Sequence, residues 1–237
     1  MSEDKTTALV TGANKGIGFE IAAGLGALGR RVGVGARDDA RREEAVEKLQ
    51  ASGIDAFGVP LDVTDDASVA AAAASFDRLD VLVNNAGITG DRPQEPTQVS
   101  IDTMRAAVEV NVYGVVRVTN AFLPLLRRSA HPRIVNVSSG VGSLTRQTSD
   151  GETGPISAAY SPSKTFLNAV TVQYVKELAD TNIKINLACP GYVATDLNGF
   201  RGHRTPQQGA ATPIRLATLP DDGPTGGYVE DAGSIPW

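Results

Sequence analysis

A chain of 237 residues, 41% of them hydrophobic, is long enough to bury the core of one large domain without cross-links or metals. Its 22 basic and 27 acidic side chains leave a net charge of -5, which repels phosphate backbones and anionic bilayers and argues against nucleic-acid or membrane-surface partners. The single cysteine, Cys189, excludes an internal disulfide, and His131 and His203 alone make no zinc-type cluster.

The acidic opening MSEDKTTALVTG lacks the apolar core of a signal peptide, and no apolar run is long enough to cross a bilayer, so a cytoplasmic, reducing location is expected. The glycosylation sequon at Asn136-Val137-Ser138 falls inside an apolar run and reads as chance.

Short β-branched runs alternate with stretches of helical periodicity. In chain order they are TALVT (7–11), a helix from Gly16, RVGVGA (31–36), a helix from Asp38, AFGVPLDV (56–63), and an alanine-rich helix opened by Thr64 or Asp65. DVLVNN (80–85), a long helix from about Ile101, RIVNVSS (133–139), a helix holding Tyr160 and KINLACP (184–190) follow. Ser161 with Pro162 behind it is a helix-start signal for the Tyr160 helix. This βαβα order predicts an α/β fold: a single-domain, doubly wound parallel sheet of Rossmann type, with about seven strands and helices on both faces. The irregular segments 88–98, 140–157 and 191–213 follow predicted strands, where ligands of open α/β sheets bind, and are expected on the substrate side.

TGANKGIG (11–18) joins the first strand to the first helix. Glycines at Gly12, Gly16 and Gly18 allow a tight turn close to a pyrophosphate, whose charge a helix amino terminus stabilises. The spacing is a variant of the common dinucleotide pattern, and no Gly-Lys-Ser/Thr follows to make a mononucleotide loop. Where the second strand ends, Arg37 and the nearby Lys15 offer cations for a 2'-phosphate, which favours NADP over NAD. A solvent-exposed Arg37 paired with Asp38 is the competing reading. In AAYSPSKTFLNAV, Tyr160 and Lys164 share one helix face, and a close ammonium would make the phenol a better proton donor by lowering its pKa.

TGANKGIG, Asp62 in LDV, NNAG at 84–87, Asn111 in the long helix, VNVSS ending at Ser139, YSPSK at 160, PGYVATD at 190 and GPTGGY near the end occur together and in order. Together they resemble the short-chain dehydrogenase/reductase family, and Lys15 with ARD at 36–38 resembles its NADPH-preferring carbonyl reductases. The resemblance implies NADP(H) as cofactor, held by Gly12, Asn14, Lys15, Gly16, Ile17, Gly18 and Arg37. Asp62 and Val63 would meet the adenine; Asn85, Ala86 and Gly87 would line the adenosine side; Pro190, Gly191, Val193 and Thr195 would hold the nicotinamide end.

It further implies a catalytic tetrad of Asn111, Ser139, Tyr160 and Lys164, in which Tyr160 protonates a ketone or aldehyde oxygen as NADPH delivers hydride. Ser139 is preferred to Ser138 by the family register, and strand alternation lets only one of them serve. Asn111 would support a water that relays protons from Lys164.

A ketoreductase of carrier-bound acyl chains or an alcohol dehydrogenase remains open on the same scaffold, with Arg146, Arg201 and Arg204 as a candidate docking patch. A sensor that binds NADP without turnover is a further alternative. A serine hydrolase is disfavoured because no Gly-x-Ser-x-Gly elbow occurs, and His203 reads as an exposed loop residue.

The link from Ser139 to Tyr160 is longer than in many members, with its extra residues in TRQTSDGETGP, while the segment after Thr195 is short, which suggests a small lid. A small-molecule carbonyl substrate is the expected partner. Assembly as a dimer or tetramer through the long helices, and a monomer, both stay open.

Overall fold

The computed structural model describes residues 5–149 and 154–237. The amino-terminal stretch before Lys5 and part of the expected insertion, 150–153, lie outside the described residues.

The strands and helices follow the predicted alternation. They run β1 (Thr7–Thr11), α1 (Gly16–Ala27), β2 (Arg31–Ala36), α2 (Asp39–Ala51), β3 (Ala56–Pro60), α3 (Asp66–Ala74), β4 (Val81–Asn84) and α4 (Ile101–Val108). A π-helical turn at Glu109–Tyr113 joins α4 to α5 (Gly114–Leu126), so the long predicted helix is continuous but locally overfilled. Then come β5 (Arg133–Val137), the short α6 (Leu144–Gln147), α7 (Tyr160–Glu177), β6 (Lys184–Ala188), α8 (Pro206–Ala217), β7 (Tyr228–Glu230) and β8 (Gly233–Ser234).

Side-chain caps fix several helix starts. Asp38 accepts from the Arg41 N–H, Asp65 from Ala67 and Ser68, and Ser100 from Thr103, each satisfying donors that a helix leaves open. The start expected at Ser161 is different: α7 begins at Tyr160, and Ala159 at the cap position offers no side-chain acceptor. Ser161 and Pro162 therefore lie inside the first turn, a position that proline tolerates because its missing N–H has no helical partner there.

The strands form one sheet in the order β3-β2-β1-β4-β5-β6-β7-β8, parallel except for the β7–β8 pair. The sheet thus has eight strands among the described residues rather than about seven, because residues 228–234 fold back as a short antiparallel edge. Both faces are buried, as parallel strands covered by crossover helices require. Ala8 and Val10 face a core with Ile21, Leu25 and Leu49 of α1 and α2, while Leu9 faces Val118, Phe122 and Leu126 of α5. Asn136 of the sequon is 1% exposed and donates to Thr171, consistent with a chance match. The strand order reverses between β1 and β4, which opens a crevice at their carboxyl ends.

Candidate active site

The glycine turn after β1 is pressed against the end of β4. At Gly12 the backbone is left-handed (φ +64°), and a Cβ would stand 2.9 Å from Ala86 Cα. At Gly18 a Cβ would stand 2.4 Å from both the Asn85 amide nitrogen and the Gly12 carbonyl. The turn is locked there by Thr11, whose hydroxyl accepts from the N–H groups of Asn85 and Ala86 at 3.0 Å. The Asn85 side chain donates to the carbonyls of Thr11 and Gly12 at 2.9 and 3.2 Å. Its amide, expected along the adenosine side, is therefore spent on shaping the turn.

A cavity of about 920 Å³ opens at the carboxyl ends of the strands. Every residue expected to touch a coenzyme borders it, and so do Ser139, Tyr160 and Lys164. Asn111 does not. It lies fully buried in the π turn, where its amide donates to the Ile88 carbonyl and the Ser163 hydroxyl at 2.8 Å, and its oxygen accepts from the Ile88 N–H at 2.9 Å. Its immediate role is to clasp the chain that leaves β4.

At one end of the cavity Arg37, Arg41 and Lys15 stand with Asp62. Burial alone would raise the Asp62 carboxyl, but hydrogen bonds from the Thr64 hydroxyl and N–H, with the charges of Arg37 and Arg117, hold it below its ordinary value. Asp38 does not take Arg37 as the competing reading supposed: its carboxylate caps α2 and lies 3.7 Å from the Arg41 guanidinium. Arg41 was missed in the sequence, although its place in the first turn of α2, just after Arg37, was visible. Lys15 is bonded to Asp196, across the cavity mouth. The glycine cradle, the amino terminus of α1 and three cations fit a dinucleotide carrying an extra phosphate.

At the other end Tyr160 enters from the first turn of α7, one helical turn before Lys164. Loss of water pushes the phenol up to about 12, against a smaller opposing effect of a hydrogen bond with the Ser139 side chain. Burial pushes the Lys164 ammonium down to about 8; it donates to the Val137 carbonyl at 2.9 Å and stands 5.6 Å from the centre of the Tyr160 ring. In this geometry burial outweighs the hydrogen bond with Ser139, so the phenol stands above its ordinary value with the Lys164 ammonium beside its ring. Ser138 and Ser139 point to different surroundings, Ser138 donating at 2.6 Å to Asn168 in the interior. Leu197 and Phe200 also border the cavity, with Phe200 66% exposed and His203 exposed on the same loop.

The short chain dehydrogenase family model matches residues 6–205. The chain belongs to that family. This short-chain dehydrogenase is 38% identical to short-chain dehydrogenase/reductase 1 of Saponaria officinalis, over 94% of its own length and 93% of the relative's. It is 32% identical to carbonyl reductase (NADPH) 1 of Rattus norvegicus over the whole of both chains. Both alignments span 282 positions against the dehydrogenase's 237 residues, so these relatives carry segments that it lacks.

Among solved structures, salutaridine reductase from Papaver somniferum superposes with a TM-score of 0.84 at 31% identity, over 96% of this chain and 100% of that one. NADPH-bound carbonyl reductase from chicken fatty liver gives 0.84 at 29% identity, over 98% and 99%. Among the described residues of this dehydrogenase no helix is long and apolar enough to cross a membrane, and no cluster of metal-ligating side chains occurs.

Proposed function

We propose that this short-chain dehydrogenase reduces the carbonyl of a small ketone or aldehyde, with NADPH as the hydride source. The observation that carries the reading is the sharing of one cavity by the glycine turn, the cations Lys15, Arg37 and Arg41, and the trio Ser139, Tyr160 and Lys164. The NADPH-bound chicken carbonyl reductase and the rat carbonyl reductase support it.

NADPH, when bound, supplies the hydride. The chain's own side chains do the rest. With its phenol pushed up to about 12, Tyr160 is protonated at neutral pH and donates that proton from its hydroxyl to the carbonyl oxygen. The Ser139 hydroxyl, hydrogen-bonded with Tyr160, orients the same oxygen. The Lys164 ammonium stabilises the phenolate left behind, and its remaining N–H groups are available for ribose hydroxyls. Asn111 holds Ile88, which borders the same cavity as Tyr160.

The basic patch considered for a carrier-bound substrate is largely consumed: Arg146 pairs with Glu230 through two hydrogen bonds, and Arg204 pairs with Asp231. A free small molecule is the better-supported substrate. The exposed Tyr113–Phe166 edge contact, between the π turn and α7, is the surface on which a second copy would pack, and sedimentation at several concentrations decides its use.

The test follows NADPH absorbance with ketones, diketones and quinones for native protein and Tyr160→Phe. Loss of the proton donor should cost roughly 10²- to 10⁴-fold in rate. Turnover that survives in the variant removes Tyr160 from the chemistry, and no turnover by native protein on any of these favours an NADP-binding sensor.

A further inference from the structure

Where β5 ends, Ser138 still pairs its N–H with the Ala188 carbonyl, but Ser139 leaves the ladder and its main-chain carbonyl needs other donors. It finds two. One is the N–H of Gly142, at 2.8 Å, and the other is the hydroxyl of Tyr228 from β7. Tyr228 is 2% exposed, and its ring packs among Val112, Leu167, Leu187 and Ile235 and against the Trp237 indole, 5.6 Å between centroids.

The same hydroxyl lies within hydrogen-bonding reach of Ser138 and Asn168, which are bonded to each other at 2.6 Å. Asn168 in turn donates to the Gly142 carbonyl at 3.2 Å. A closed set of polar groups, 4% exposed or less at Ser138, Asn168 and Tyr228, thus surrounds the backbone of Ser139 from behind. Tyr228 does not border the cavity.

We propose that Tyr228 is a positioning residue for Ser139: its hydroxyl fixes the Ser139 carbonyl and, through that peptide, the aim of the Ser139 side chain at Tyr160. Burial of this polar set gives it the rigidity to do so, since each group has a partner to lose. Tyr228 acts only through Ser139, and the inference rests on the reductase reading above.

The experiment is a double-mutant cycle on kcat for NADPH-dependent ketone reduction, with Tyr228→Phe, Ser139→Ala and the pair. Tyr228→Phe keeps the ring and its apolar contacts. We expect it to lower kcat about tenfold, as small misalignments of a reacting group do, while the KM for NADPH stays within about twofold. In the Ser139→Ala background the same change should lower kcat less than about twofold, because the group it aims is gone. Asn168→Ala, which cuts the opposite side of the polar set, is read the same way and replaces Tyr228→Phe should that variant not fold.

Native kcat in Tyr228→Phe overturns the inference, and so does an equal loss with and without Ser139, which would mark general loosening. Tyr160→Phe run beside them separates the two levels. If it is inactive while Tyr228→Phe is native, only this inference fails; if it turns over, the reductase chemistry itself fails.

Discussion

Lys164 stands over the ring of Tyr160, its nitrogen 5.6 Å from the ring centre, and donates to the carbonyl of Val137 at 2.9 Å. Burial moves the two groups in opposite directions, the phenol up to about 12 and the ammonium down to about 8. On raising the pH, lysine therefore gives up its proton first. Below about 8 the pair is a neutral phenol beside a cation, the state that a proton-donating tyrosine needs.

This order predicts the pH profile of reduction. kcat/KM reports the free enzyme, so it should be level below about 8 and fall roughly tenfold per pH unit above it as the ammonium is lost. Lys164→Arg, whose guanidinium stays charged, should remove that inflection whatever its effect on the plateau. An inflection that persists near 8 in this variant would assign it to another group.

Arg37 borders the coenzyme end of the cavity without the Asp38 partner considered for it. A charge-assisted bond to phosphate is worth about 1.5–3 kcal/mol, and an introduced carboxylate adds repulsion. Arg37→Asp should raise the KM for NADPH about 100-fold and change that for NADH less than about threefold. Equal losses for both coenzymes would refute the 2'-phosphate assignment.

Lys15 is held by Asp196, and both side chains are about half exposed. A 2'-phosphate must compete with that carboxylate for the ammonium. An exposed pair is worth about 0.2–1 kcal/mol, so Asp196→Asn should tighten NADPH by about 1.4- to fivefold in a fluorescence titration. NADH, which lacks the group, should be unaffected.

Asn111 spends its whole amide inside the protein. Asn111→Ala leaves the Ile88 N–H and carbonyl without their partner, at a cost of about 2–4 kcal/mol. A chain of this size should then melt about 4–15 °C lower. Retained melting temperature would mean that the Ile88 clasp is dispensable.

Much of this was legible in the chain. Strands such as Ala8-Leu9-Val10, buried on both faces, leave continuous apolar runs, and the helices between them carry start signals in plain view at Asp38 and Asp65. The end of the sheet was not legible, because Tyr228–Glu230 and Gly233–Ser234 are too short to show a period. Neither was the start of α7, where Ala159 carries no capping group and Ser161-Pro162 imitates one.

At the site, spacing revealed that Tyr160 and Lys164 share a helix face, but it held no information on how dry their surroundings are, and dryness decides the sign of the phenol's shift. The bond from Tyr228 to the Ser139 carbonyl joins elements far apart in the chain, so no local pattern announces it.

The π turn at Glu109–Tyr113 has a consequence for what lengths this helix tolerates. A π turn absorbs one extra residue, so removing one from it would let the helix relax to regular winding while everything downstream keeps its direction around the axis. Val118 and Phe122 would stay buried against the sheet, and the loss would fall on the turn itself, where Asn111 reaches Ile88. The surplus residue is thus a length change that the helix has already swallowed, confined to one turn and spent on presenting a polar side chain.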